Sequence, residues 1–272
     1  KEEHVLKAMD SIMKNNYIFK SLFNFYIFGV FIILVTTAFS CRKSPLTNGD
    51  ITKVVRMLSQ FDTIYLHDNI DVRLIKSDTF KVEITTCENL MDNIITDIEG
   101  SILTVRNENG LNWIRDYDYE LRADIYYKSH ISKIHYGGVN SRTSEGFISD
   151  DTISSFDLII DEGGGDINLS LYCKKLHLKN SGGSTKVVLK GHCENASIRH
   201  SALGPIHIDD FPTDTITAVN IGNNHIYLNC VDTLKSSIYS YGNTYYKGHP
   251  KISSYVSPNA LGRLIEIENL KN

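Results

Sequence analysis

The chain has 272 residues, a formal net charge of −4, 42% hydrophobic and 22% charged residues. That length and balance leave room for one large or two small domains with a real core and exclude an overall disordered chain. The 28 Lys and Arg are scattered rather than clustered, which leaves nucleic-acid binding without electrostatic support.

Residues 1–40 read as a signal peptide. Lys14 and Lys20 precede an apolar run from Ile27 to Val35 that is short for a bilayer span. The chain opens on Lys1, so Met9 and Met13 are candidate starts. Ala38-Phe39-Ser40-Cys41 resembles a bacterial lipobox, with Phe39 larger than that motif prefers. The resemblance implies cleavage before Cys41, lipidation of its thiol, and a membrane-anchored lipoprotein in a Gram-negative envelope. The expected site is the outer membrane, facing either the periplasm or the cell surface. The other reading is an uncleaved anchor helix from Tyr17 to Phe39. Residues 41–53, with Arg42, Lys43 and Pro45, read as a tether.

From residue 54 the apolar residues alternate with period two, the strand period. Ile64 and Leu66, then Ile70, Val72 and Leu74, then Phe80, Val82 and Ile84 mark three strands. Glu88 to Thr96 has a weak helical flavour, Ile102 to Val105 and Leu121 to Tyr127 return to strand, and Asn107 to Tyr117 reads as a loop around Trp113. Ile131 to Val139 reads as an early, less regular coil. From Phe156 to about Lys247 a twenty-residue step takes over: Phe156, Leu176, Ala196, Ile216, with Leu158, Leu178, Ile198, Ala218 and Ile238 two places on. A second set of columns carries Ile167, Val187, Ile206 and Ile226, and turns carry Gly182, Ala202, Gly222 and Gly242. Units this short cannot bury their own apolar face and must stack, which predicts an all-β parallel β-solenoid.

Phe-Asp-x-Ile-x-Leu-x-x-x-Ile-Asp-Val-x-Leu-Ile at 61–75, Val-Glu-Ile-Thr-Thr-Cys-Glu-Asn-Leu at 82–90 and Gly-Ser-Ile-Leu-Thr-Val at 100–105, followed by glycine-punctuated units, together resemble the head GIN domain of the auto-transporter adhesin family. The likeness spans roughly 54–250 and leaves 251–272 as a C-terminal cap or tail. It implies a single-stranded right-handed parallel β-helix on an exported protein, and it brings no active site.

The most ordered polar feature is the column Asn180, His200, Asn220 and Ser240. Strands ~4.8 Å apart would let these side chains hydrogen-bond along the axis, as a structural ladder or as a ligand-contacting stripe. Sugar cleavage needs two carboxylates facing one bond, but stepping Asp161 and Asp166 by twenty meets no further acid, and Asp210 is expected to pair with Lys190 one coil before. Gly163-Gly164-Gly165 lacks the Lys-Ser/Thr of a phosphate loop and reads as a turn. The ten His show no metal-ligand spacing, so no metal or cofactor is expected. Cys173 and Cys193 should occupy equivalent places on neighbouring coils, as a disulfide or as two thiols, while Cys87 and Cys230 have no evident partner. Asn195-Ala196-Ser197 matches a glycan acceptor with little meaning in such a protein. Tyr227, Tyr239, Tyr241, Tyr245, Tyr246 and Tyr255 crowd the last coils, with Tyr241, Tyr245 and Tyr246 as candidate contacts for a sugar or a protein, or else as a cap on the open end.

The expectation is therefore a lipid-anchored, non-catalytic binding, adhesin-like or scaffolding protein, whose partner is a glycan or an envelope or host protein. Two alternatives stand beside it. One is a polysaccharide lyase or hydrolase on the same scaffold, which needs a cleft of acids from adjacent coils. The other is a self-stacking structural protein, which needs an uncovered terminal coil. Oligomeric state is left open.

Overall fold

The computed structural model describes residues 49–110, 120–137, 144–148 and 152–267. Cys41, the run before it and most of the Trp113 loop lie outside the described residues.

The regular part is a solenoid of about six turns, built on alternation. Strands β10 (Phe156–Ile160), β11 (Asp166–Asn180), β12 (Lys186–His200), β13 (Ile206–Asn220) and β14 (Ile226–Ile238) follow one another along the chain. Each of the long strands β11 to β14 bends at a corner, so its two halves lie on opposite faces. On one face β10 is followed by the second halves of β11, β12, β13 and β14, and then by β16 (Lys251–Val256), all parallel. On the other the first halves of β11 to β14 are followed by β15 (Thr244–Lys247) and β17 (Leu264–Glu266). Every second residue points between the faces. Leu158, Leu178, Ile198 and Ala218 stack in register and are buried, as are Ile167, Val187, Ile206 and Ile226. Each large side chain removed from water here contributes ~1.5–3 kcal/mol.

The twenty-residue step is not uniform. Val187 faces Ile206, a step of nineteen, and Ile216 faces Leu234, a step of eighteen. The corner of β14 is shorter than that of β13, so Thr213 faces Cys230 and Thr215 faces Thr233. Ile238 therefore sits opposite Asn220, and Ser236 takes the place after Ala218 that the count had given to Ile238. The eighteen-residue step differs from twenty by an even number, so there inward residues stay inward while their partners change.

The base departs from chain order. Its elements are β1 (Ile51–Met57), β2 (Thr63–His67), β3 (Asp71–Lys76), β4 (Lys81–Cys87), α1 (Glu88–Met91), β5 (Ile94–Glu99), β6 (Ile102–Asn107), β7 (Arg122–Tyr127), β8 (Lys133–Gly137) and β9 (Ser144–Phe147). One face runs β5, β6, β2, β8, β10, and the other β1, β4, β7, β3, β9, β11. The coil β2–β3 is thus inserted between β6–β7 and β8–β9. The pairs β1–β4, β4–β7 and β5–β6 are antiparallel and close this end. Two features differ from expectation. The helix covers only Glu88–Met91, after which Ile94–Glu99 is strand, and β1 opens at Ile51 inside the stretch read as tether.

Cys87, Cys173, Cys193 and Cys230 are free, buried thiols. Cys173 and Cys193 are direct register neighbours at the corner. A hydrogen bond with Cys193, together with burial, pushes the Cys173 thiol up. Gly191 is required there too: it has φ 119°, and a Cβ would lie 1.9 Å from the Leu171 carbonyl oxygen.

Candidate binding surface

The polar column is an inner file, not a surface. Asn180, His200 and Asn220 stack in register at the ends of β11, β12 and β13, all fully buried. Asn220 Nδ2 donates to the carbonyls of Gly242 (3.1 Å), Asn224 (3.2 Å) and Asn243 (3.3 Å), and its Oδ1 accepts from Gly222 N–H at 3.1 Å. Asn180 Nδ2 donates to the Thr185 carbonyl at 3.4 Å. The amides therefore tie down the backbone of the corners. His200 has no hydrogen-bond partner on either ring nitrogen, and burial pushes its pKa down to about 4. Ser240 does not belong to this file. The eighteen-residue step puts Ile238 over Asn220, and Ser240 lies in the next corner, where its Oγ donates to Asn223 Oδ1 at 3.0 Å.

The acidic residues are engaged separately. Asp161 meets His135 Nε2 at 2.7 Å and Lys179 Nζ at 3.2 Å, and the hydrogen bond with His135 holds its carboxyl below the usual range. Asp209 meets His207 at 3.5 Å. Asp210 meets Lys247 at 3.6 Å rather than Lys190, because the nineteen-residue step at Val188–His207 puts the count off by one. Gly163 to Gly165 form the corner between β10 and β11. Acids from adjacent coils come together around a cleft of about 210 Å³ lined by Asp71, Glu120 and Glu145 with Arg73 and Arg122. There Glu145 lies 3.3 Å from Arg73 and Glu120 lies 2.6 Å from Arg122. Glu120 and Glu145 are therefore each engaged in an ion pair across or beside the cleft. Among the described residues no group of three or more His, Cys, Asp or Glu is placed to hold a metal.

The tyrosines divide into two groups with different chemistry. On the outer surface of β13, β14 and β15, His207, Tyr227 and Tyr245 stack face to face. Their centroid spacings are 4.4 and 5.0 Å and their interplanar angles 5° and 10°. Val188 precedes this ladder in register and Ile265 follows it. His225 packs edge-on to Tyr245 at 5.3 Å; its Nδ1 accepts from Asn243 N–H, which leaves any ring proton on Nε2. Tyr227 thus has a ring on each of its faces. Burial pushes the Tyr227 phenol up, in line with a packed role.

The second group is more exposed. Tyr239 and Tyr241 lie in the corner after β14, and Tyr255 lies on β16, with exposures of 47%, 64% and 52%. Tyr239 and Tyr255 sit 5.6 Å apart with rings tilted by 51°. Gly262 N–H donates to the Ser240 carbonyl at 2.9 Å, which brings the exposed Leu261 onto this corner. The three expected contact residues therefore separate: Tyr241 belongs to the open corner, Tyr245 to the stacked ladder, and Tyr246 packs against the core. Tyr239 and Tyr255, which the sequence places among the crowded tyrosines but not among the three candidate contacts, join Tyr241 here because the eighteen-residue step sets Ser237 beside Tyr255.

A family model described as "Putative auto-transporter adhesin, head GIN domain" matches residues 60–250. The chain belongs to the head GIN domain family. Solved structures with the same fold include a "putative adhesin" from Bacteroides fragilis NCTC 9343, 17% identical, with a TM-score of 0.68 over 80% of this chain and 97% of that one. Another "putative adhesin", from Parabacteroides merdae ATCC 43184, is 19% identical with a TM-score of 0.56 over 81% and 97% of the two chains. A "putative lipid binding protein" from Parabacteroides distasonis ATCC 8503 is 18% identical, TM-score 0.56, over 81% and 98%. At these identities the likeness shows the GIN fold alone. Among curated proteins, none matches the chain.

Proposed function

We propose that this GIN-domain chain is a non-catalytic, adhesin-like binding protein of the cell envelope, anchored by lipid on Cys41, that captures a glycan or a protein at the Tyr239–Tyr241–Tyr255 corner. The observation that carries the reading is that these three tyrosines are about half exposed or more on the last coils, the end of the stack remote from β1. Ten strand-to-strand steps separate β1 from β17 along one face, roughly 45–50 Å at ~4.8 Å each. A chain tethered just before β1 would hold this corner far from the membrane. Aromatic rings with one face free stack on sugars and serve as anchors in protein contacts.

A glycan-cleaving enzyme on the same scaffold would need two carboxylates facing one bond; in the Asp71–Glu120–Glu145 cleft, Glu120 and Glu145 are each held by an arginine instead. The test is binding of residues 42–272 to panels of glycans and envelope proteins. Tyr239→Ser with Tyr255→Ser should weaken any hit about tenfold or more, while Tyr227→Ser should leave it intact; the reverse pattern would defeat the proposal. Incorporation of a labelled fatty acid by the full chain, but not by Cys41→Ala, checks the anchor.

A further inference from the structure

The other end of the solenoid carries a second apolar group. Ile51, Val55 and Met57 are 63%, 52% and 71% exposed. They occupy alternate places on β1, so all three project from one side of the strand. Lys53, between Ile51 and Val55, is paired with Glu83, which also takes Lys81 at 2.8 Å, so the group keeps one net positive charge, which suits an anionic surface. Arg56, on the opposite side, is drawn inward, donating to the Ile94 carbonyl at 2.6 Å and to Thr96 Oγ1 at 2.9 Å. One edge of β1 pairs with β4; among the described residues nothing pairs with the other.

We propose that this outer side of β1 lies against the lipid surface to which the chain is anchored. The proposal rests on the lipidation of Cys41. Ile51 lies ten chain steps after Cys41, a reach of at most ~35 Å, so an anchored chain keeps β1 close to the bilayer while the tyrosine corner points away. The short tether holds the three side chains at high effective concentration over the surface, where even a weak affinity keeps them seated. The side chains fit that occupant: Ile, Val and Met have no donor or acceptor to satisfy, and they lack the aromatic and arginine anchors typical of protein contacts. Arg42 and Lys43, just after the anchor, complement anionic headgroups. Contact at β1 would add a second attachment beside the acyl chains and fix the orientation of the solenoid.

Residues 48–272 form one compact unit, so a chain of residues 42–272 can be tested without the anchor. The probe is vesicles of phosphatidylethanolamine and phosphatidylglycerol at millimolar lipid, read by flotation. The wild-type sequence should float, and Ile51→Thr/Val55→Thr/Met57→Thr should lower the bound fraction about tenfold. Threonine keeps strand propensity, and circular dichroism confirms folding. Tyr239→Ser/Tyr255→Ser should float like wild type. As a second reading, Val55→Trp should show blue-shifted emission when vesicles are added. The proposal is overturned if wild type does not float, if the triple variant floats equally, or if wild type sediments as a dimer that the triple variant abolishes, which would make the patch an interface between copies. Because this chain lacks Cys41, flotation and the fatty-acid label report on the two ideas separately.

Discussion

Tyr227 lies face to face with Tyr245, their ring centroids 5.0 Å apart and their planes 10° from parallel. Such a pair contributes ~0.5–1.5 kcal/mol beyond its buried area. Removing the middle ring also strands His207, whose imidazole stacks on the other side at 4.4 Å. We expect Tyr227→Ala to lower the unfolding free energy by ~2 kcal/mol, measured by urea denaturation. A double-mutant cycle with Tyr245→Ala should give a coupling of ~1 kcal/mol. Zero coupling would mean that the rings are neighbours without being partners.

His200 gives the protein a predictable weakness in mild acid. Its folded pKa, pushed down to about 4 by burial, lies below the ordinary 6.5, so the unfolded chain takes up the proton first. Stability from this group is full above pH 6.5, declines as pH falls towards 4, and is level below that. The whole window amounts to about 3–4 kcal/mol at most. His200→Asn, which copies Asn180 and Asn220 in the same file, should remove that slope. The check is the difference in unfolding free energy between wild type and variant at pH 7 and pH 4.5. An unchanged difference would show that His200 is solvated in the folded state.

Ser236 follows Ala218 in the inner file and is buried, and its hydroxyl has no hydrogen-bond partner. Burying an unpaired hydroxyl costs free energy that a methyl group avoids. Ser236→Ala should therefore stabilise the fold by ~0.5–1 kcal/mol, read as a rise in the thermal midpoint. A fall would mean that the hydroxyl is paired in solution.

The fold was legible where burial repeats along the chain. Leu158, Leu178, Ile198 and Ala218 announce both the strand period and the coil length, because each must face the same interior. Corner length was not legible. A corner can gain or lose residues in solvent without disturbing alternation, so Ile238 looks like a continuation of Ala218 although it sits over Asn220. The insertion of β2–β3 between later strands leaves no local mark either, since parallel partners can come from any distance along the chain. At the candidate surface, the crowding of tyrosines was visible but the division of labour was not. Whether a ring shows its face or its edge depends on the side chain above it: Tyr245 has Tyr227 stacked on one face, while Tyr239 and Tyr255 meet at 51°.

The order of the base strands gives one short coil an outsized role. All hydrogen-bonded pairing between β1, β4, β5, β6 and β7 and the rest of the sheet passes through β2 and β3. Stripping strands from the far tip would merely shorten the stack, whereas losing this keystone would sever it in two. The first full coil in the chain thereby holds together segments that come much later in sequence, through its pairings with β6 and β7 on one side and β8 and β9 on the other.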